Sequence, residues 1–235
     1  MPVLSDLRVS VTAEDLTRSW GPQRARLVSP RMLARVSELL ERIEAERWLQ
    51  PQISFQFWPV AAVTPEGIEL ANGSRLRAPL AFEYFRGATQ VGIGVCTLGG
   101  TLEKHVAELF ESRDRLRGVL MDEIGTLALY QLSDRLDERM QEDAALRGLD
   151  ISGILNPGDD GFDLSEHGLL LSLSGGAEIG LSVTMLGMLR PQKSISLVVG
   201  LGEDMPKWNP GDRCERCKMK DRCPQRRSLI QEVAL

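Results

Sequence analysis

The sequence predicts an α+β fold. Three observations carry that expectation. Strand-like and helix-like stretches are interspersed without a regular strand–helix–strand alternation. One helical run, 114–147, is far longer than its neighbours and keeps an apolar face through Leu116, Leu120, Ile124, Leu127, Leu132, Leu136 and Met140. The strand-like stretches are bounded by Gly, Pro and Asn turns.

Taken in order, residues 13–20 read as a short helix ended by Gly21-Pro22. Residues 30–49 read as an amphipathic helix. Leu33, Val36, Leu39, Leu40 and Ile43 recur at helical spacing, and Pro30 follows the capping residue Ser29. Residues 53–63 predict a strand, with Phe55, Phe57 and Trp58 as core rather than a cofactor surface. Asn72-Gly73 within 67–77 signals a hairpin with a type I′ turn. Residues 90–98 predict a buried strand that turns at Gly99-Gly100 into a helix over 101–111. Gly148 stops the long helix. Beyond it come a short strand at 150–156, a Pro/Gly/Asp loop at 157–162, a helix at 164–173, and strands at 180–184 and 194–200.

Composition excludes several classes. The 235 residues are 43% hydrophobic and 26% charged, ordinary for a globular chain that buries a core. A formal net charge of −5 argues against a general nucleic-acid binder. The charge is uneven: residues 207–227 carry eight Lys or Arg against three Asp or Glu. From Arg213 to Arg227 no aromatic residue interleaves with the cations as base stacking would require, so no nucleic-acid partner is expected. Between Gly168 and Leu189 only Glu178 is charged, but the Ser/Gly-rich centre of that stretch reads as a turn rather than a membrane span. The first residues lack the basic start and apolar run of a signal peptide, so a cytoplasmic protein with reduced thiols is expected.

That expectation bears on the cysteines. Cys214, Cys217 and Cys223 form C-x2-C-x5-C, a spacing that lets three thiolates converge on one soft metal ion or cluster. The set is one ligand short. The fourth is either Cys96, which sits at a predicted strand end and also reads as a small core residue, or an open coordination position. An iron–sulfur cluster and zinc both fit the donor set. The organisation expected is one α+β domain over 1–201 and a cysteine-rich, metal-binding tail over 202–235.

The middle of the chain carries a resemblance. Asn156-Pro-Gly-Asp-Asp is followed by Leu164-Ser-Glu-His-Gly, Ile179-Gly-Leu-Ser-Val-Thr and Met188-Leu-Arg-Pro-Gln-Lys-Ser-Ile-Ser196. Upstream stand Val95-Cys-Thr-Leu-Gly-Gly-Thr-Leu-Glu103 and Met121-Asp-Glu-Ile-Gly125. The series resembles the reactivation domain of cobalamin-dependent methionine synthase, and more closely its free-standing relatives with a terminal cysteine tail. The resemblance implies a twisted, mainly antiparallel sheet with flanking helices. It implies binding of S-adenosylmethionine and support for reductive remethylation of a corrinoid. It points to Asn156, Pro157, Gly158, Asp159 and Lys193 as ligand-binding residues. The resemblance implies that an acid on the long helix, where Glu123, Asp134 and Asp137 stand, can meet the ligand's amino group; read from the residues alone, these acids form a solvated helix face.

The chain also departs from that pattern. Ile154 stands where the family has an Arg suited to the ligand carboxylate, Asp159 where it has Tyr, and Leu197 where it has Gly. No Asp-x-His-x-x-Gly corrinoid signature is present, so cobalamin would arrive on a partner, a corrinoid protein or methyltransferase, with an electron-donor protein as a further partner. The need for an electron in that chemistry favours iron–sulfur over zinc. The alternative is a metal-bearing electron-transfer or assembly module that has lost the methyl donor. Gly92-Ile-Gly94 and Gly200-Leu-Gly202 lack the rest of a dinucleotide-binding fingerprint.

Overall fold

The computed structural model describes residues 3–21, 24, 26, 28–206 and 220–221. It is built on a seven-stranded sheet in which every pairing is antiparallel. The strands are β1 (Val3–Leu4), β2 (Gln52–Thr64), β3 (Gly67–Leu70), β4 (Arg75–Leu76), β5 (Gln90–Thr97), β6 (Asp150–Ile151) and β9 (Ser194–Gly202). Their spatial order is β4-β3-β2-β5-β9-β6, with β1 added to β2. A separate hairpin pairs β7 (Ser182–Val183) with β8 (Leu189–Arg190). The helices are α1 (Ala13–Ser19), α2 (Pro30–Ala45), α3 (Ala81–Tyr84), α4 (Thr101–Glu111), α5 (Arg115–Ala145) and α6 (His167–Ser174).

Period-two alternation divides the molecule into layers. Ile53, Phe55 and Phe57 of β2, Cys96 of β5, and Leu197, Val199 and Leu201 of β9 face one core with α1, α2, α4 and α5. Val91 and Ile93 of β5 and Val198 of β9 face a second core with α3, α6 and Phe162. Each fully buried aliphatic side chain contributes about 1.5–3 kcal/mol. Phe55 and Phe57 are core, as expected, and the Trp58 indole donates to the Leu173 carbonyl, tying β2 to α6.

Local chemistry explains the elements. The Ser29 side chain accepts from the Met32 amide, and Pro30 fills the first turn of α2. Thr12 and Asp15 form a reciprocal capping box at α1. Helix α5 spans 31 residues, about 46 Å. Its inner stripe is Leu120, Ile124, Ala128, Leu132, Leu136, Met140 and Ala144. Gly92 and Gly94 let it cross β5 closely. A Cβ at Gly94 would lie 3.0 Å from Leu136, and one at Gly92 would meet Met140 and Phe57. Those glycines serve helix packing.

The 72–73 turn differs from the type I′ expectation. Only Gly73 has positive φ, and the Asn72 side-chain carbonyl accepts from the Ser74 amide. Asn72 is thereby held in an Asx turn with ordinary backbone, and Gly73 alone supplies the left-handed step.

Candidate functional site

The candidate ligand loop grows out of the outer edge of β9. After β6 the chain stays on that edge. The Ser152 amide donates to the Gly200 carbonyl, the Gly200 amide returns a bond to the Ser152 hydroxyl, and Leu155 and Val198 exchange both backbone bonds. Asn156 Nδ2 then donates to the Ser196 carbonyl at 2.7 Å. Residues 156–163 close on themselves. The Asp159 amide donates to the Asn156 carbonyl, the Phe162 amide to the Asp159 carbonyl, and the Gly158 amide to the Phe162 carbonyl. The Asp159 carboxylate accepts from the Asn156 amide at 2.8 Å, and Gly158 takes φ +101°, a conformation that excludes ordinary side chains. Phe162 is buried in the second core and anchors the far side.

Two polar atoms at this junction lack a partner among the described residues. They are the buried Asn156 Oδ1 and the hydroxyl of Ser196, a residue only 3% exposed. Unpaired buried polar atoms cost about 1–3 kcal/mol each, so a bonding partner at this junction would offset that cost. Sequence reasoning named Asn156 but missed Ser196, which looks like any polar residue in a strand.

The β7–β8 hairpin stands beside the loop. His167 Nδ1 lies 2.6 Å from the Gly187 carbonyl, so that nitrogen carries the proton and donates. Gly187 has φ +77°, and a Cβ there would lie 2.8 Å from the Leu164 carbonyl. Leu164 in turn is the side chain that a Cβ at Gly158 would meet, at 3.8 Å. Loop, Leu164 and hairpin tip therefore touch in series. The tip exposes Met185, Leu186 and Met188 together.

Lys193 lies elsewhere. Its Nζ sits 2.8 Å from Asp122 Oδ1 and 2.9 Å from Thr126 Oγ1, on the α5 side of the sheet. The period-two alternation of β9 sends Lys193, Ile195 and Leu197 toward α5 and Ser196 and Val198 the other way. The structure thus groups residues 156–159 with Ser196, and separates Lys193 from them. Ile154 packs against the α5-side core.

The acids of α5 are also committed. The Glu123 carboxylate accepts from the Trp20 indole at 2.8 Å and from Arg24 at 2.6 and 3.1 Å. Asp137 accepts from Gln141 Nε2, and burial raises its pKa against that hydrogen bond.

Cys96 pairs in register with Ile53 and Ile195 and is fully buried. Burial pushes its thiol up to about 12, partly opposed by a hydrogen bond with the Ile195 backbone. Cys214, Cys217 and Cys223 lie outside the described residues. Among the described residues no three His, Cys, Asp or Glu side chains cluster to hold a metal. No helix among them is long and apolar enough to cross a membrane.

No protein-family model matches the chain, and no curated protein matches it. A solved structure does: the MetH reactivation domain bound to AdoHcy superposes with a TM-score of 0.61. The fold is that of a MetH reactivation domain. The match covers 100% of this chain and 90% of that one, at 14% sequence identity. It bears out the expected antiparallel sheet with flanking helices, and at that identity it speaks for the fold alone.

Proposed function

We infer that the chain is a reactivation-type accessory protein for corrinoid-dependent methyl transfer. It binds S-adenosylmethionine at the 156–163 loop and supports remethylation of a cobalamin held by a partner protein. The observation that carries this reading is the pair of buried, unpartnered atoms, Asn156 Oδ1 and Ser196 Oγ, at the loop of a reactivation-type fold. An amide oxygen and a hydroxyl can accept from an amino group, and the hydroxyl can donate in return. Pro157 and Gly158 keep the backbone lean enough for close approach, and the Asp159 carboxylate braces the turn. Lys193 stands apart from the loop and fixes the chain just ahead of β9 against α5.

The exposed Met185, Leu186 and Met188 next to the loop suit the docking of a corrinoid protein or methyltransferase. The corrinoid supplies the cobalt chemistry; this chain binds and orients the methyl donor. The tail over 202–235 would hold a metal through Cys214, Cys217 and Cys223, an iron–sulfur cluster for electron supply or zinc as the alternative. Cys96 is fully buried within the sheet, paired between Ile53 and Ile195, so a ligand bond from its thiol would need the core around it to open. That favours an open fourth position over Cys96.

Calorimetric titration with S-adenosylmethionine tests the reading. Saturable binding is expected, weakened in Asn156→Ala; no heat at millimolar ligand overturns it. A second reading draws on Ile154, whose side chain belongs to the core and offers the ligand carboxylate no charge. It is an electron-transfer or assembly module that has lost the donor. A brown, anaerobically purified protein without S-adenosylmethionine binding would select it.

A further inference from the structure

The far end of the sheet carries a second candidate surface. Strand β2 outruns β5. Its pairing with β5 ends at Pro59 opposite Gln90, and the Val60 amide makes one last bond to the Thr89 carbonyl. Beyond that, β2 continues to Thr64 paired with β3 on one edge only, through a bulge between Val60 and Ala62. Among the described residues no strand covers the other edge. The open stretch runs past the Val60 amide over residues 61–64, about 13 Å of strand before Pro65.

Natural sheets protect open edges with charge. The outermost strand here, β4, does so, with Arg75 in it and Arg77 just past its end. The β2 edge does not: Val60, Ala61, Ala62 and Val63 are uncharged and small. They form one wall of an open groove of about 490 Å³, completed by Phe82 and residues 86–89. Phe82 is 46% exposed at its rim. Arg86 is the groove's only charged residue and makes no ion pair among the described residues.

We propose that this groove receives an extended peptide from a partner protein, added as a strand along residues 61–64 with an acidic side chain paired to Arg86. Backbone bonds to the open edge would supply sequence-tolerant affinity, Phe82 an apolar contact for alternate side chains, and Arg86 the selectivity for an acid. A second copy of this chain is the poorer occupant, because strand pairing would set the uncharged 60–63 stretch opposite Arg86.

Selection of a phage-displayed library of random nine-residue peptides on the full chain tests this. Enriched peptides should alternate apolar residues and carry Asp or Glu. Synthetic copies should bind at least tenfold more weakly to Arg86→Glu and to Ala61→Lys, which places a charge on the edge at an exposed position, while both variants keep the parent unfolding midpoint. If Ala61→Lys lowers the midpoint, Phe82→Ala takes its place with the same expectation. Changing the peptide's acid to Lys should restore binding to Arg86→Glu. Enriched peptides without an acid, or equal binding to Arg86→Glu, overturn the proposal. So does competition by free glutamate at the peptide's own concentration, which would mean a small-anion site. Self-association abolished by Ala61→Lys would assign the edge to a second copy and overturn it as well.

Discussion

The Lys193 ammonium is held 2.8 Å from the Asp122 carboxylate and 2.9 Å from the Thr126 hydroxyl. The lysine is only 14% exposed, and the aspartate is half exposed. The contact clamps the chain just ahead of β9 to the middle of α5. It sits beside Gly125, where a Cβ would come within 3.2 Å of the Lys193 stem. Lys193→Met is therefore expected to lower stability by about 1 kcal/mol, the size of a partly screened pair with one added hydrogen bond. S-adenosylmethionine affinity should stay within twofold, since the loop is on the other face. Thermal melts and titration of the same sample check both halves.

Ser196→Ala separates a structural hydroxyl from a ligand-binding one. The hydroxyl has no partner among the described residues, so its removal should leave the urea midpoint unchanged or raised. The same substitution should weaken S-adenosylmethionine binding about tenfold, the equivalent of one hydrogen bond. A destabilised variant with normal affinity would contradict the assignment.

Gly92→Ala should be among the most damaging single changes in the sheet. The added methyl would meet Met140, Phe57 and Val199 at once, and a packed helix cannot retreat from a strand locally. A loss of about 1–3 kcal/mol is expected from equilibrium unfolding.

Asp137 gives a pH signature. Its folded pKa is raised by burial, so the native state binds more protons than the unfolded chain between the unfolded value and the folded one. Its contribution is fully present below the unfolded pKa and is lost as pH rises through the folded pKa. Asp137→Asn should remove that slope and leave the variant more stable than the parent at neutral pH. Denaturation midpoints measured from pH 3 upward would show the two curves diverging as pH rises.

Cys96 should resist iodoacetamide in the native protein at pH 8 and react once the chain is unfolded, because its thiol is buried and pushed up to about 12. Cys96→Ala should keep the full metal content, whereas Cys214→Ser should lose it. Metal analysis of the two variants, with mass spectrometry of alkylated protein, reads both outcomes.

Much of the architecture was legible because local rules and tertiary packing agree. Ser29-Pro30 starts α2, Gly148 stops α5, and the apolar stripe from Leu120 to Met140 is the one that is buried. The 157–162 loop was legible from its Pro, Gly and Asp residues, while residues 156–159 stand out as ligand-binding candidates only through the resemblance. The rest depended on contacts that a linear reading does not hold. Lys193 and Ser196 are three residues apart, so alternation along β9 sends them to opposite faces. Neither the Asp122 clamp nor the unpartnered hydroxyl has a local signal. The two-residue β8 and the four-residue α3 are too short to show periodicity, and β1 is defined only by its place against Ile53 and Ser54.

The β7–β8 hairpin is held by two paired positions, one bond from His167, the seating of Gly187 on Leu164, and a small apolar cluster in which Leu189 and Val183 join Val95 and Leu171. Its apolar tip is outside both cores that hold the sheet to its helices. Residues 185, 186 and 188 can therefore be rewritten with little effect on folding, whereas the Thr184 hydroxyl accepts from the Met188 amide and holds the turn. Chains of this architecture can exchange the exposed side chains of this one short turn while their scaffold stays constant.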